Sequence, residues 1–478
     1  MLGRRGFLAG SLTALSSARI PHLARPNDEW RVAVIGLNGR GAEHVDALRA
    51  LPGVRIAALC DVDDAVLLRE SKRLRERDQH PGLHTDFREV LARADVDAVT
   101  LATPNHWHAL QTIWACQAGK DVFVETPATH SLGEGVRVLA AARKYGRIVQ
   151  CGLQARASPA LRAALEWLHA GNLGAPGLVR GLCYRPRPSI GKAKGYQKIP
   201  ESVDYDQWCG PAPLLPLQRA RLHHDWHWSF ATGDGELGNQ GVHQLDVARW
   251  VLGAEELPQS VLSLGARLGY DDDGETPNAQ LLFYTFEPVP LIFEVRGLPR
   301  NTAAQQGDWL SGMDQFHGVR VGVVVHCAGG TLRIAGESGA IACDGAGKEI
   351  RRWEERGDPF ASWIAACQSR RAEDLTADIE VGLRSSALVH LGNASQRTGR
   401  ALPKKELLSE LASSSTLTPA CGLLLEHLDA NGIDLAKHEL ALGPCLVLDP
   451  ARQCVRDHER ANALLAGSHR EPYVLPEV

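Results

Sequence analysis

The eleven cysteines of this 478-residue chain include no C-x-x-C pair and no repeated spacing. That excludes the disulfide framework of a small secreted scaffold and a structural zinc cluster. Cys60, Cys151 and Cys343 sit in apolar, strand-like runs, where a free buried thiol is the expected state. No apolar run reaches the roughly 20 residues that a spanning helix needs, so no membrane partner is expected. Charge of one sign is lacking too. A net charge of −4 gives no reason to expect nucleic acid or an anionic bilayer as partner. There are no internal repeats and no low-complexity tract beyond Ser413–Ser415.

What is present is ordinary globular composition, 44% hydrophobic and 23% charged, in a chain too long for one core. Two domains with appendages are expected. Residues 1–30 stand apart. In "GRRGFLAGSLTALSSA" Arg4-Arg5 precedes Phe7-Leu8 and a weakly apolar stretch, the pattern of a twin-arginine export address. A periplasmic or secreted location is therefore expected. The twin-arginine route carries folded proteins, so a cofactor loaded in the cytoplasm can travel inside.

A nucleotide fold follows. "RVAVIGLNGRGAEHVDALRA" predicts a strand, a glycine turn and an amphipathic helix. The turn is Gly36-Leu37-Asn38-Gly39-Arg40-Gly41, a G-x-G-x-x-G pattern with Asn38 at its second glycine and Gly39 beside it. Asn tolerates left-handed backbone angles, so the turn is expected to survive the change. Its amides and the helix N-terminus would hold a pyrophosphate. The second strand, "VRIAALC", ends at Asp61, whose carboxylate would accept bonds from ribose hydroxyls and repel a 2′-phosphate, favouring NAD over NADP.

Strands then alternate with helices to "RIVQCG", which specifies an α/β, doubly wound parallel sheet over residues 31–152. Beyond Gly152 the strands lengthen and alternate, and tight links such as Gly329-Gly330 suggest hairpins. Residues 153–400 are expected to form an α+β domain with an open, largely antiparallel sheet. Residues 401–478 are expected to be a tail packed back on the body. The polar, aromatic stretch 184–250 is too long for a plain connector, and such loops usually carry function.

Four segments, "VIGLNGRG", "ATPNHWH", "VETPATHSLGEG" and "GELGNQGVHQLDVARW", resemble the Gfo/Idh/MocA oxidoreductases. "DYDQWCGPAP" and the end "HREPYVLPEV" resemble the secreted branch of that family. The resemblance implies a Rossmann domain, a C-terminal sheet domain, bound NAD(H), a carbohydrate, glycoside or cyclitol substrate, and a homo-oligomer. It also implies cofactor contacts at Thr103, Pro104, Asn105, His108 and Glu125, beside those of Gly36, Asn38, Gly39, Arg40, Gly41 and Asp61. The family's E-K-P motif, which supplies a proton-transfer lysine, falls on Glu125, Thr126 and Pro127. Its D-x-G-x-H motif falls on Asn239, Gly241 and His243.

Two ionisable groups of the family are thus neutral here. Thr126 cannot accept a proton near neutral pH, and neither can Asn239. His243 is the remaining base. Asp246, three residues on and on the same helical face, is expected to orient its imidazole. In "RLHHDWHWSF", His224, Trp226 and Trp228 are expected at the substrate together with Tyr184. For that cluster of imidazoles and indoles, sugar binding, plain packing and a metal all remain open, although the family needs no metal. Lys192 or Lys194 could replace the missing lysine. Three functions follow from these parts: an NAD-dependent sugar oxidoreductase, a redox-neutral glycosidase or lyase with retained NAD, or a binding paralogue impaired by Thr126.

Overall fold

The computed structural model describes residues 29–449 and 454–478. Arg4-Arg5 lie outside the described residues, and Trp30, assigned above to the leader, already opens the first strand. The chain runs β1 (Trp30–Ile35), α1 (Arg40–Arg49), β2 (Val54–Cys60), α2 (Asp64–Arg75), β3 (Gly82–His84), α3 (Phe87–Ala92), β4 (Ala98–Leu101), α4 (Asn105–Gln117), β5 (Asp121–Val124), α5 (Leu132–Lys144) and β6 (Val149–Cys151). These strands form one parallel sheet in the order β3-β2-β1-β4-β5-β6. They read as continuous apolar runs because helices bury both faces. Local chemistry starts the helices. Asp63 and Asp86 cap α2 and α3, and Ser131 with Glu134 forms a reciprocal capping box at α5. Strand order reverses between β1 and β4, and a ligand crevice is expected beyond the carboxyl ends of those strands.

The second half adds α6 (Pro159–His169), β7 (Pro176–Tyr184), α7 (Tyr205–Cys209), α8 (Val242–Leu252), β8 (Ser260–Ala266), β9 (Ala279–Thr285), β10 (Leu291–Arg296), β11 (Val321–Cys327), β12 (Gly330–Ala335), β13 (Gly339–Asp344) and β14 (Glu349–Glu354). There follow α9 (Pro359–Ser369), α10 (Ile379–Thr398), β15 (Arg400–Leu402), α11 (Lys404–Leu411), α12 (Leu417–Ala430), β16 (Leu440–Leu442), β17 (Leu446–Asp449), β18 (Cys454–Val455) and α13 (Glu459–Ala466). Among the described residues the main path of this sheet is β14-β13-β12-β11-β7-β10-β9-β8-β16-β15, with β17 joined to β8. Every pair in it is antiparallel except β7 with β10.

Neighbouring residues along β9 and β10 point to opposite faces, as the pleat requires. Leu282 and Phe293 pack with α8 and α10 on the inner face. Leu281 and Ile292 pack with Leu407, Leu424 and Leu428 of α11 and α12 on the outer face. The outer face of β8–β10 is therefore covered by the chain itself.

The sequence boundaries miss one return of the chain, and the expected return of the tail is a second. Phe360 and Trp363 of α9, assigned above to the second domain, pack on His44 and Phe123 of the nucleotide sheet. Tyr473 rests edge-on against Trp107, with ring centroids 5.3 Å apart. Nothing local marks α9 for this return, because its apolar face is specified only by a partner more than two hundred residues away. A strap from the long polar stretch also crosses the crevice. Asp204 N donates to Val62 O (3.0 Å), and Asp64 N to Ser202 O (2.8 Å). Arg470 ties α7 down through the carbonyls of Asp206, Gly210 and Ala212.

Candidate active site

The glycine turn between β1 and α1 can exist only with its glycines. A Cβ on Gly36 would lie 2.8 Å from the Ala102 main chain, and one on Gly41 would lie 1.7 Å from Gly36 O. The left-handed angle at the altered position belongs to Gly39 (φ +80), not to Asn38 as expected above. With Gly39 present, Asn38 needs no unusual backbone, and its Oδ1 accepts from Arg69 Nη2 at 3.1 Å. A Cβ on Gly39 would meet nothing within 4 Å, so main chain faces open space there. This is the bare-backbone cradle a pyrophosphate requires.

Asp61 works at two levels. One carboxylate oxygen accepts Leu37 N (2.7 Å) and the other Asp63 N (3.0 Å), which caps the turn. Each oxygen keeps a lone pair, and the residue lines a cavity of about 350 Å³ with Gly36, Gly39, Trp208, His224 and Trp226. Burial raises its pKa, against the two amide donors. His223 closes this cavity from the strap, with Nε2 2.7 Å from Asp63 Oδ2.

A second cavity of about 320 Å³ shares Arg40, Ala102, Thr103, Trp226 and His227 with the first. Asn105, His108, Glu125, Thr126, Asn239 and His243 meet here, from both halves of the chain. A π-helical turn at Leu237–Gly241 precedes α8, and it presents Asn239 and Gln240 to the cavity together with His243. Such turns recur at functional sites. His243 Nε2 stands 3.2 Å from Thr126 Oγ1, and Nδ1 is buried without a partner. Burial pulls its pKa below 6.5, while the nearby Glu337 and Glu125 carboxylates pull the other way.

Glu125 is the electrostatic anchor. Its Oε1 accepts from Arg40 Nε and His44 Nε2, each at 2.8 Å. A carboxylate only accepts, so the His44 proton lies on Nε2. Burial opposes the charge, yet Arg40 and His44 outweigh it and hold the carboxyl well below its usual range. A Cβ on Gly152 would sit 2.5 Å from Glu125 Oε2, so glycine there makes the room.

Several expected contacts fall elsewhere. Asp246 does not orient His243. It is fully buried, and its carboxylate is taken by Arg156 Nε (2.8 Å) and Ser385 Oγ (2.8 Å), which clamp α8 to the β6–α6 link and to α10. A buried charge needs that compensation more than a distant imidazole does. Tyr184 is core: its hydroxyl donates to Glu294 Oε2 at 2.6 Å, and Arg296 lies over its ring. Trp228 is core too, with Arg187 over its ring at 5.5 Å. His108 lines the cavity, but both ring nitrogens meet main-chain carbonyls, Pro127 O at 2.7 Å and Thr103 O at 2.8 Å. Thr103 and Pro104 do line the glycine-turn cavity, where Pro104 also caps α4 and the Thr103 hydroxyl donates to Gln111 at 2.7 Å. Lys192 pairs with Asp271, and neither it nor Lys194 lines the cavity.

Sequence reasoning missed Arg185, Gln240 and Glu337. Arg185 hydrogen-bonds Gln240, and Glu337 reaches the cavity from the β12–β13 turn. Gln240 lies inside a quoted motif and was there to be found. Glu337 had no local signal.

Residues 30–153 match the family model described as "Oxidoreductase family, NAD-binding Rossmann fold" of the Gfo/Idh/MocA group. Residues 189–273 match that group's "C-terminal alpha/beta domain". The chain belongs to the Gfo/Idh/MocA oxidoreductase family. It is 25% identical over 222 residues to the uncharacterized oxidoreductase YrbE of Bacillus subtilis, covering 46% of this chain and 53% of YrbE. It is 34% identical over 127 residues to a glycosyl hydrolase family 109 protein of Shewanella baltica, covering 26% of this chain and 28% of that protein. These matches thus span about half and about a quarter of the relatives' lengths. The fold resembles the WlbA dehydrogenase of Bordetella pertussis, solved with NADH and UDP-GlcNAcA. The TM-score is 0.54 and the identity 18%, over 77% of this chain and 97% of that one.

Proposed function

We propose that the protein is an NAD-dependent oxidoreductase of a sugar, glycoside or cyclitol, with His243 handling the proton of the reacting hydroxyl. The observation that carries this reading is His243 beside Thr126, in a cavity that shares five wall residues with the glycine-turn cavity. The bare backbone at Gly39, in a turn that the close packing of Gly36 and Gly41 allows and with Asp61 behind it, fits a dinucleotide. When bound, NAD supplies or accepts the hydride. The remaining chemistry belongs to the chain. Burial keeps His243 neutral, so it can accept the hydroxyl proton near neutral pH. The Thr126 hydroxyl steadies the ring from the position of the family lysine, and Glu337 favours the imidazolium once it forms. Asn239, Gln240 and Arg185 can bind the other hydroxyls. WlbA was solved with a nucleotide sugar, and the Shewanella baltica protein is named a glycosyl hydrolase, which agrees with a carbohydrate substrate.

A second reading keeps the NAD in place, oxidises a hydroxyl transiently and releases the glycosidic substituent with no net redox change. The strap over the nucleotide cavity favours it, because a covered cofactor exchanges slowly.

One assay separates the readings. Purified protein is incubated with a panel of sugars and nitrophenyl glycosides while NADH and free aglycone are followed together. Net NADH marks the oxidoreductase, and aglycone without NADH marks the redox-neutral enzyme. In either case His243→Ala is expected to lower turnover about 10²–10⁴-fold, the range of general acid–base assistance. Unchanged turnover in His243→Ala would move the base elsewhere. Turnover of no substrate, with sugar binding retained, would leave the Thr126-impaired binding paralogue.

A further inference from the structure

The segment 226–234 divides two cavities. Trp226 and His227 face the catalytic cavity, whereas Phe230, Ala231 and Asp234 line a separate one of about 360 Å³. Its remaining walls come from the start of α5, from α10 and from the α13 tail. Most of its polar groups are already satisfied. Glu134 serves the α5 capping box and accepts from His469 Nε2 at 2.8 Å. His130 Nε2 donates to Gly233 O at 3.3 Å, and Asn393 Nδ2 to Asp234 O at 3.1 Å.

Asp234 is the exception. Its residue is only 5% exposed, and Oδ1 lies 3.5 Å from His390 Nδ1, but Oδ2 makes no hydrogen bond. An unpartnered buried acceptor of this kind is costly to leave unbonded. Across the cavity Arg397 stacks its guanidinium on Phe230 at 4.4 Å, leaving its donors for a ligand at the rim. Burial opposes ionisation of Asp234, and His130 and His390 outweigh it, so the acid is a carboxylate.

The chemistry of these walls narrows the ligand. An anion would meet three carboxylates, Glu134, Asp234 and Glu275, against one guanidinium. An apolar ligand would strand Asp234 and Arg397. Among the described residues no three ligating side chains converge for a metal. The Asp234 charge already has two imidazoles near it, so a neutral hydroxyl donor suffices. We infer that this cavity is a second, non-catalytic carbohydrate site, in which a pyranose hydroxyl donates to the Asp234 carboxylate and another accepts from Arg397. This does not rest on the reading of the catalytic cavity.

The test uses the full chain carrying His243→Ala, so that turnover plays no part. Methyl pyranosides and N-acetylated pyranosides serve as probes in saturation-transfer NMR, with thermal unfolding as the check on folding. Binding is expected in the His243→Ala protein, and adding Asp234→Asn is expected to weaken it about tenfold or more. Arg397→Gln changes only the exposed rim and keeps the test open if Asp234→Asn does not fold. It is expected to weaken binding severalfold. Ala463→Trp, an exposed position at the mouth, is expected to block it. The inference is overturned if no pyranoside binds, if binding is indifferent to Asp234→Asn and Arg397→Gln, or if a simple primary amine displaces the sugar.

Discussion

At the scale of single residues, Thr126 is not a vacancy left by a lysine. Its hydroxyl is the group nearest His243 Nε2, at 3.2 Å. A lysine ammonium there would repel an imidazolium, whereas a hydroxyl tolerates both states of the ring. The imidazole is therefore free to cycle its proton, which is the property a lone base needs. Its titration can be read without any substrate. Burial lowers the His243 pKa and Glu337 partly restores it, so NMR titration is expected to place it below about 6.5. Glu337→Gln removes the restoring charge and is expected to move it lower still. A rise, or no change, would take Glu337 out of the site. His243, Asn239 and Thr126 were legible because each occupies a motif position. Glu337 was not, since a turn residue acquires its neighbour only when the sheet folds. Asp246 was misread for a related reason: helical spacing put it near His243, but a fully buried carboxylate goes to the cations that neutralise it.

At the scale of elements, the strap and the π-helical turn decide what the cavities hold. The turn Leu237–Gly241 breaks the plain helical count on which the Asn239–His243–Asp246 face was drawn. The strap between β7 and α8 closes the nucleotide cavity through Trp208, His223, His224 and Trp226, and the His223–Asp63 pair holds it to the sheet. Asp61 faces the same space with a carboxylate that a 2′-phosphate would meet unfavourably. Calorimetry is expected to give NAD about tenfold or more tighter binding than NADP, set by like-charge repulsion at Asp61. His223→Ala is expected to weaken NAD by about twofold to fivefold, the value of a part-exposed pair, and to speed its release. NADP binding tighter than NAD would overturn the role of Asp61. An unchanged release rate would free the strap from any part in retention. The strap was visible in the sequence only as a polar, aromatic stretch too long to be a connector.

At the scale of the whole molecule, buried histidines set the response to acid. Burial pushes His106 down to about 3, although carbonyls of Thr232 and Trp208 meet its two nitrogens. His44, His108 and His243 are lowered as well. Each folded pKa lies below the unfolded value of about 6.5, so the unfolded chain binds more protons and stability falls as pH drops below that value. The carboxylates of Glu125, Glu134 and Asp234, depressed in the fold, add their loss below about pH 4. Thermal unfolding is expected to come earlier at pH 5.5 than at pH 7.5, with about 1 kcal/mol lost between pH 6.5 and 5.5 from His106 alone. A flat or rising profile over that window would mean that these rings are charged in the fold.

The sequence by itself determined the α/β class, the parallel nucleotide sheet, the glycine turn, Asp61 at the end of β2 and the register that puts Thr126 and His243 at family positions. These are local facts: period, cap, breaker and motif act within a few residues of one another. Only the tertiary structure decided that Gly39 carries the left-handed angle, that α9 completes the first core, that α11 and α12 cover the outer sheet, and that Asp246, Tyr184 and Trp228 belong to the interior. Each of these is settled by a partner far away in the chain, where burial must be matched by charge, donor or apolar surface that no local window contains.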